Sequence, residues 1–134
     1  MRRVIFLTLA LLPSCTMRGV HPLTPQDLAT APYQAVVTEG LTGSLLYEGG
    51  CLLFRDEDET VQLMPVWPAG SVFNGTTLTF HQPGKSDQLI VIAQELQIEG
   101  RPLDWSALAA PAYAPIHQQC GSRPFFVSRV RPAN

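Results

Sequence analysis

The side chains able to do chemistry in this chain are few and scattered. Cysteines stand at 15, 51 and 120, and histidines at 21, 81 and 117. Cys51, His117 and Cys120 form the trio with most metal-ligand character, because the last two have ligand-like spacing. A closed structural zinc site takes four ligands, and no Cys-x-x-Cys pair is present to complete one. The same lack argues against a dithiol redox centre. Asp56-Glu57-Asp58-Glu59 lines up four acids, whereas a calcium loop spaces its oxygen ligands and bends at a glycine. Asp87, Glu95, Glu99 and Asp104 could serve as acid and base if the fold gathered them. Each lies by a turn or strand end, where solvated acids are ordinary. Ser44, Ser71 and Ser122 follow glycines, but no Gly-x-Ser-x-Gly elbow occurs. Phosphate-cradling glycine motifs and His-Glu-x-x-His are also missing from the sequence. We expect no enzyme, no cofactor and no metal.

The first residues are an address. Arg2 and Arg3 precede a nine-residue apolar run, Val4 to Leu12. As a helix that run spans about 14 Å, against a hydrocarbon core of about 30 Å. A basic start and a short apolar stretch make an export signal. Arg2-Arg3 also occur in twin-arginine leaders, but the flanking residues fit an ordinary charged start better. Leu12-Pro13-Ser14-Cys15 resembles the lipobox of bacterial lipoproteins, with Pro13 where a small or aliphatic residue is usual. In that family diacylglycerol is attached to the cysteine thiol, the leader is cleaved before it, and the new amine is acylated. The resemblance implies a signal peptide over residues 1–14 and lipid on Cys15. Several acyl chains together give stable anchoring, which one chain does not. Thr16 after the cysteine implies the outer membrane, periplasmic side, in a Gram-negative host. An ordinary secretory signal cut between Thr16 and Gly19 is the alternative.

If the lipobox resemblance assigns Cys15 to lipid, Cys51 and Cys120 remain. Two cysteines in an exported domain most often pair. Their bridge closes a loop of about 70 residues, on the order of 4 kcal/mol in the loop-entropy model. The trio with His117 stays as the other use of these thiols.

The elements that must position these groups are short. Residues 15–34 are rich in Thr and Pro and are expected to be a tether carrying His21, with one helical turn at Thr24-Pro25-Gln26-Asp27. Leu41 to Tyr47 and Cys51 to Arg55 flank Glu48-Gly49-Gly50, a hairpin signature. The four acids form the tip of the next hairpin, followed by Val61 to Val66. Asn74-Gly75 is the strongest turn signal, between Ser71–Phe73 and Thr76–Phe80; it also belongs to a glycosylation sequon, which a tight turn explains. Leu78 and Phe80 alternate with Thr77 and Thr79, so one face is buried. His81 closes that strand as an edge or partly buried residue. Leu89-Ile90-Val91-Ile92 is expected to be a buried strand, and Glu95 to Ile98 alternates. Asp104 suits the cap of a short helix through Trp105 and Leu108. Ala110 to Ile116 is an Ala/Pro excursion, and Phe125 to Val130 the last strand.

Twelve prolines and ten glycines in 134 residues argue against a helical bundle. With 46% hydrophobic and 15% charged residues the chain has the makings of a core. A net charge of -2 excludes a strongly basic nucleic-acid binder. We expect one mainly β domain over 35–134, a small antiparallel barrel or sandwich of about six to eight short strands with one or two short helical turns. Gly50-Cys51-Leu52, Val66-Trp67-Pro68-Ala69-Gly70 and Cys120-Gly121 are similar to a pattern in small exported bacterial β domains of unknown function, which supports the fold and carries no activity. Trp67, at a turn, and Trp105, in an excursion, are the candidate binding surface, unless they plug the ends of a barrel. The expected role is a membrane-anchored envelope lipoprotein that binds or assists without catalysis. Its expected partners are the membrane, through the anchor, and an envelope protein or small apolar ligand. A barrel binding a lipid or small molecule, and a secreted inhibitor or interaction module, are the alternatives.

Overall fold

The computed structural model describes residues 22–132. The expected leader, Cys15 and His21 lie outside the described residues. In chain order the elements are β1 (Thr30–Ala31), β2 (Glu39–Glu48), β3 (Cys51–Asp56), β4 (Gln62–Pro68), β5 (Val72–Phe73), β6 (Thr77–Phe80), β7 (Gln88–Val91) and β8 (Glu95–Pro102). Two 3-10 turns, Trp105–Leu108 and Pro111–Tyr113, then lead into α1 (Ala114–Cys120) and β9 (Arg123–Pro132). The expected mainly β fold with short helical turns is present.

Gly49 and Gly50 begin the architecture. Both take positive φ, 59° and 81°, in a two-residue loop whose flanking residues Glu48 and Cys51 pair. That backbone matches the twist of a β2–β3 hairpin. β3 continues antiparallel to β4, while β2 pairs on its other side with β8, and β8 with β9. β9 then runs parallel to β4, from Leu63–Arg123 to Val66–Phe126, so the circuit of pairings returns to its start. β5, β6 and β7 form a separate three-stranded antiparallel sheet. Its first turn is shifted one residue from the Asn74-Gly75 expectation. Phe73 pairs with Leu78, and Asn74 Oδ1 accepts hydrogen bonds from the Thr76 and Thr77 amides at 2.9 and 2.8 Å. The asparagine side chain thus organises the turn from its flank.

Alternation decides which strands carry two cores. Cys51-Leu52-Leu53-Phe54 and Leu63-Met64-Pro65-Val66-Trp67 are nearly unbroken apolar runs, the mark of strands covered on both faces. Leu52, Phe54, Leu63 and Trp67 enter the inner cluster, with Phe80, Ile98, Phe125 and Val127. Cys51, Leu53, Met64 and Val66 face outward and are covered by a second layer that includes Leu23, Ala29, Leu108 and Ile116.

That second layer corrects the expected tether. Residues 22–34 pack against the body, with Leu23 and Ala29 buried. β1 pairs parallel to the end of β4, and the amides of Trp67 and Ala69 donate to the carbonyls of Ala29 and Ala31 at 2.9 and 2.8 Å. The Tyr113 hydroxyl donates to the Thr30 carbonyl. At Thr24–Asp27 the expected helical turn is a single β-turn, closed by Asp27 N donating to the Thr24 carbonyl at 2.9 Å, with Thr24 N donating back to Asp27 Oδ2 at 2.7 Å. An extended segment has no periodicity of its own, so its burial depends on the surface it meets.

Cys51 and Cys120 are disulfide-bonded, with Cα atoms 5.7 Å apart and 69 residues of separation. The bridge fastens the end of α1 to the start of β3. Replacing both cysteines with alanine should lower stability by about 2–4 kcal/mol in urea denaturation. Gly100, at the β8 bulge, tests close packing of the circuit. An added Cβ there would lie 1.8 Å from the Phe126 carbonyl oxygen, so Gly100→Ala should cost at least about 2 kcal/mol by the same measurement.

Candidate functional site

The structure sends the candidate chemical groups to separate places. Disulfide bonding removes Cys51 and Cys120 as thiolate ligands, which overturns the metal trio with His117. Among the described residues, no three His, Cys, Asp or Glu side chains gather as a metal site. His117 instead stacks on Trp105, with ring centroids 4.1 Å apart and planes 6° off parallel. Trp105 Nε1 donates to the Ser122 carbonyl at 3.2 Å, so this half-buried indole clamps α1 to the start of β9. Trp67 corrects the expected binding surface outright. It is 0% exposed, inside the inner core, edge-on to Phe80 at 6.0 Å. The Val-Trp-Pro segment ends a strand, but that strand end is covered by β1.

The acids likewise disperse. Asp87 Oδ1 lies 2.8 Å from His81 Nδ1 on the exposed β6–β7 connection. Glu99 is held between Arg129 and Arg131, at 3.3 and 3.5 Å. Asp104 precedes the Trp105–Leu108 turn without a side-chain capping bond. Glu95 begins β8 and is exposed. At the acidic tip, Asp56 is the organiser, its carboxylate accepting from the Val61 amide at 2.8 Å and the Thr60 hydroxyl at 3.0 Å. The Val61 amide, foremost, with the Thr60 hydroxyl and other backbone bonds, holds the Asp56 carboxyl below its ordinary range, against a desolvation that acts to raise it.

Of the apolar residues that packing leaves open, Val36 and Val37 lie ahead of β2, and the three most exposed share one sheet face. It is the outer face of the β5–β6–β7 sheet. Val72, Thr79 and Leu89 stand in register across the three strands, and Thr77 with Val91 forms the next row. Val72, Leu89 and Val91 are 60%, 71% and 52% exposed, whereas Phe73, Leu78, Phe80 and Ile90 point inward to the core. The expected buried strand Leu89–Ile92 is therefore corrected: β7 is an edge strand of this sheet, with Ile90 buried and Leu89 and Val91 exposed. None of the five outward residues is charged. Edge strands usually carry charge as protection, so an uncharged apolar edge and face make this the candidate contact surface.

Two grooves border this face. One, about 240 Å³, runs beside β5 and is lined by Pro25, Gln26, Leu28, Val72 and Phe73. The other, about 290 Å³, follows β7 and is lined by Gln88, Ile90, Gln94, Leu96 and Val130. The N-terminal segment reaches the sheet at its turn, where Pro25 Cγ comes within 3.6 Å of the Cβ position of Gly75. Sequence reading missed the face because four apolar residues in a row, Leu89 to Ile92, look the same whether one or both of their faces are covered.

No protein-family model, curated protein or solved structure matches the chain.

Two measurements check this assignment of roles. Leu89→Lys should leave stability within about 0.5 kcal/mol, while Ile90→Ala costs about 2–4 kcal/mol. Because the Asp56 carboxyl is lowered in the folded state, its stabilisation is present above the ordinary aspartate range and is lost as pH falls through the folded value. Asp56→Asn should therefore destabilise the protein at neutral pH and flatten the acid limb of the stability profile.

Proposed function

We propose that this chain is a lipid-anchored exported protein of the cell envelope, with a non-catalytic binding or accessory role. Cys15 carries the lipid. The observation that bears most weight is cysteine partition: Cys51 and Cys120 are bonded to each other, so Cys15 in Leu12-Pro13-Ser14-Cys15 is the thiol left over. A lipobox reaction consumes one thiol, and an oxidising compartment pairs the others. Seven peptide units separate Cys15 from Pro22, so the folded body starts no more than about 25 Å from the anchor. The whole domain is thereby held at the membrane, at the outer membrane if the host is Gram-negative.

The closed circuit β4–β3–β2–β8–β9 reads as a small five-stranded barrel of the OB type. Phe54, Trp67, Ile98, Phe125 and Val127 fill its interior. A filled interior favours recognition on the outer surface over a ligand held inside. The role as an interaction module therefore moves from Trp67 and Trp105 to the β5–β6–β7 face.

The test is the intact mass of the protein purified from its native host. A start at Cys15 with lipid-sized added mass, and two thiols appearing only on reduction, is the expected result. Cys15→Ala should move the protein from the membrane to the soluble fraction. An unmodified chain beginning beyond Cys15 would overturn the proposal.

A further inference from the structure

We propose that the outer face of the β5–β6–β7 sheet lies on the bilayer to which the chain is anchored, so that the anchor and this face together fix the orientation of the domain. The inference rests on the lipid-anchor reading and adds to it which surface meets the membrane.

The covalent path makes the first argument. Pro25 packs at the Gly75 turn of this sheet, and Val72 shares a groove with Pro25 and Gln26. Ten peptide units link Cys15 to Pro25, a reach of about 35 Å at most. Among the described residues, the chain that leaves the lipid first meets the body at Leu23, against Gly50 and Gln119, and passes this sheet two residues later at Pro25, which keeps Val72, Leu89 and Val91 within reach of the surface that holds Cys15.

Charge makes the second argument. The outward residues Val72, Thr77, Thr79, Leu89 and Val91 carry no charge, and three of them are aliphatic and more than half exposed. Elsewhere among the described residues the exposed aliphatics are the adjacent Val36 and Val37, 50% and 42% exposed ahead of β2, and the single Val61. The β8–β9 side displays Arg129 and Arg131 around Glu99, and the β3–β4 tip carries Asp56 to Glu59. Three aliphatic side chains would hold a free protein on a bilayer only weakly. Once a lipid has made the encounter intramolecular, the same contact is enough to select one orientation. The threonines between them present hydroxyls to the headgroup layer. A membrane-facing sheet also has no need of the charges that guard a solvent-facing edge strand.

The experiment places a tryptophan at Leu89 in the lipidated protein, purified from its host and reconstituted into vesicles of phosphatidylethanolamine and phosphatidylglycerol. Phosphatidylcholine brominated on its acyl chains is the quencher. Trp67 is buried and Trp105 is stacked on His117, so the parent protein supplies the background. Fluorescence from Leu89→Trp, and from Val72→Trp as a second probe, should fall about twofold on brominated vesicles, as expected for a face seated at the headgroup and acyl boundary. Val61→Trp, beside the acidic tip, should not change. Unquenched emission at both probes from vesicle-bound, lipid-bearing protein would overturn this inference and leave the anchor standing. Equal quenching at position 61 would overturn it too, since no orientation is then selected. Absence of lipid on Cys15 would overturn both. A photo-activatable residue at Leu89 that cross-links in cells to a protein rather than to phospholipid would assign the face to a protein partner and defeat the membrane reading.

Discussion

The fold depends on the parallel pairing of β4 with β9. Without it, β2, β3, β4, β8 and β9 form an open sheet with two long apolar edges. With it, each has a neighbour on both sides, and Trp67, Phe54 and Phe125 lie inside the circuit. A parallel joint cannot be made by a tight hairpin; the chain must travel out and come back. Everything between β4 and β9 is that journey, and it does structural work on the way. The three-stranded sheet supplies Phe73, Leu78, Phe80 and Ile90 to the inner core, and α1 supplies Ile116 to the outer one.

The outer layer is the second consequence. β3 and β4 are apolar on both faces, so closing the circuit leaves Leu53, Met64 and Val66 looking outward. The N-terminal segment and α1 cover them. Neither piece is a strong element alone: α1 has seven residues and β1 two. Each is held by attachment, α1 by the Cys51–Cys120 bridge and the Trp105–His117 stack, and the N-terminal segment by backbone bonds to Trp67 and Ala69. Side chains with the look of a binding or metal site are therefore the fasteners of the second layer.

On the proposed reading, recognition falls to the outer surface. The inner core is filled by large side chains, and the titratable groups are separated into local pairs such as His81–Asp87 and the Glu99 cluster. The sheet that the chain lays down between β4 and β8 buries one face and leaves the other open. Its outward Val72, Leu89 and Val91 are the positions where a solvent-facing sheet would ordinarily carry polar residues.

Much of this was legible in the residues themselves. The Gly49-Gly50 hairpin, the acidic turn, the alternation of Thr77 to Phe80, the last strand and the Cys51–Cys120 pair all follow from local backbone chemistry, period-two patterning and cysteine economy. The mainly β class follows from the same signals. Three matters were decided only by tertiary structure. Residues 23–34 looked like linker because an extended segment shows no periodicity, and its burial comes from the doubly apolar β4 that it covers. Trp67 looked like a turn residue on display because Pro68 and Gly70 follow it, and it is buried because β1 and the three-stranded sheet close over it. Leu89 and Val91 looked buried because Leu-Ile-Val has no polar break, and they are exposed because β7 ends its sheet with no second layer above. Local sequence determines the conformations a segment prefers, but which of its faces meets another surface is a property of the partners brought from far along the chain.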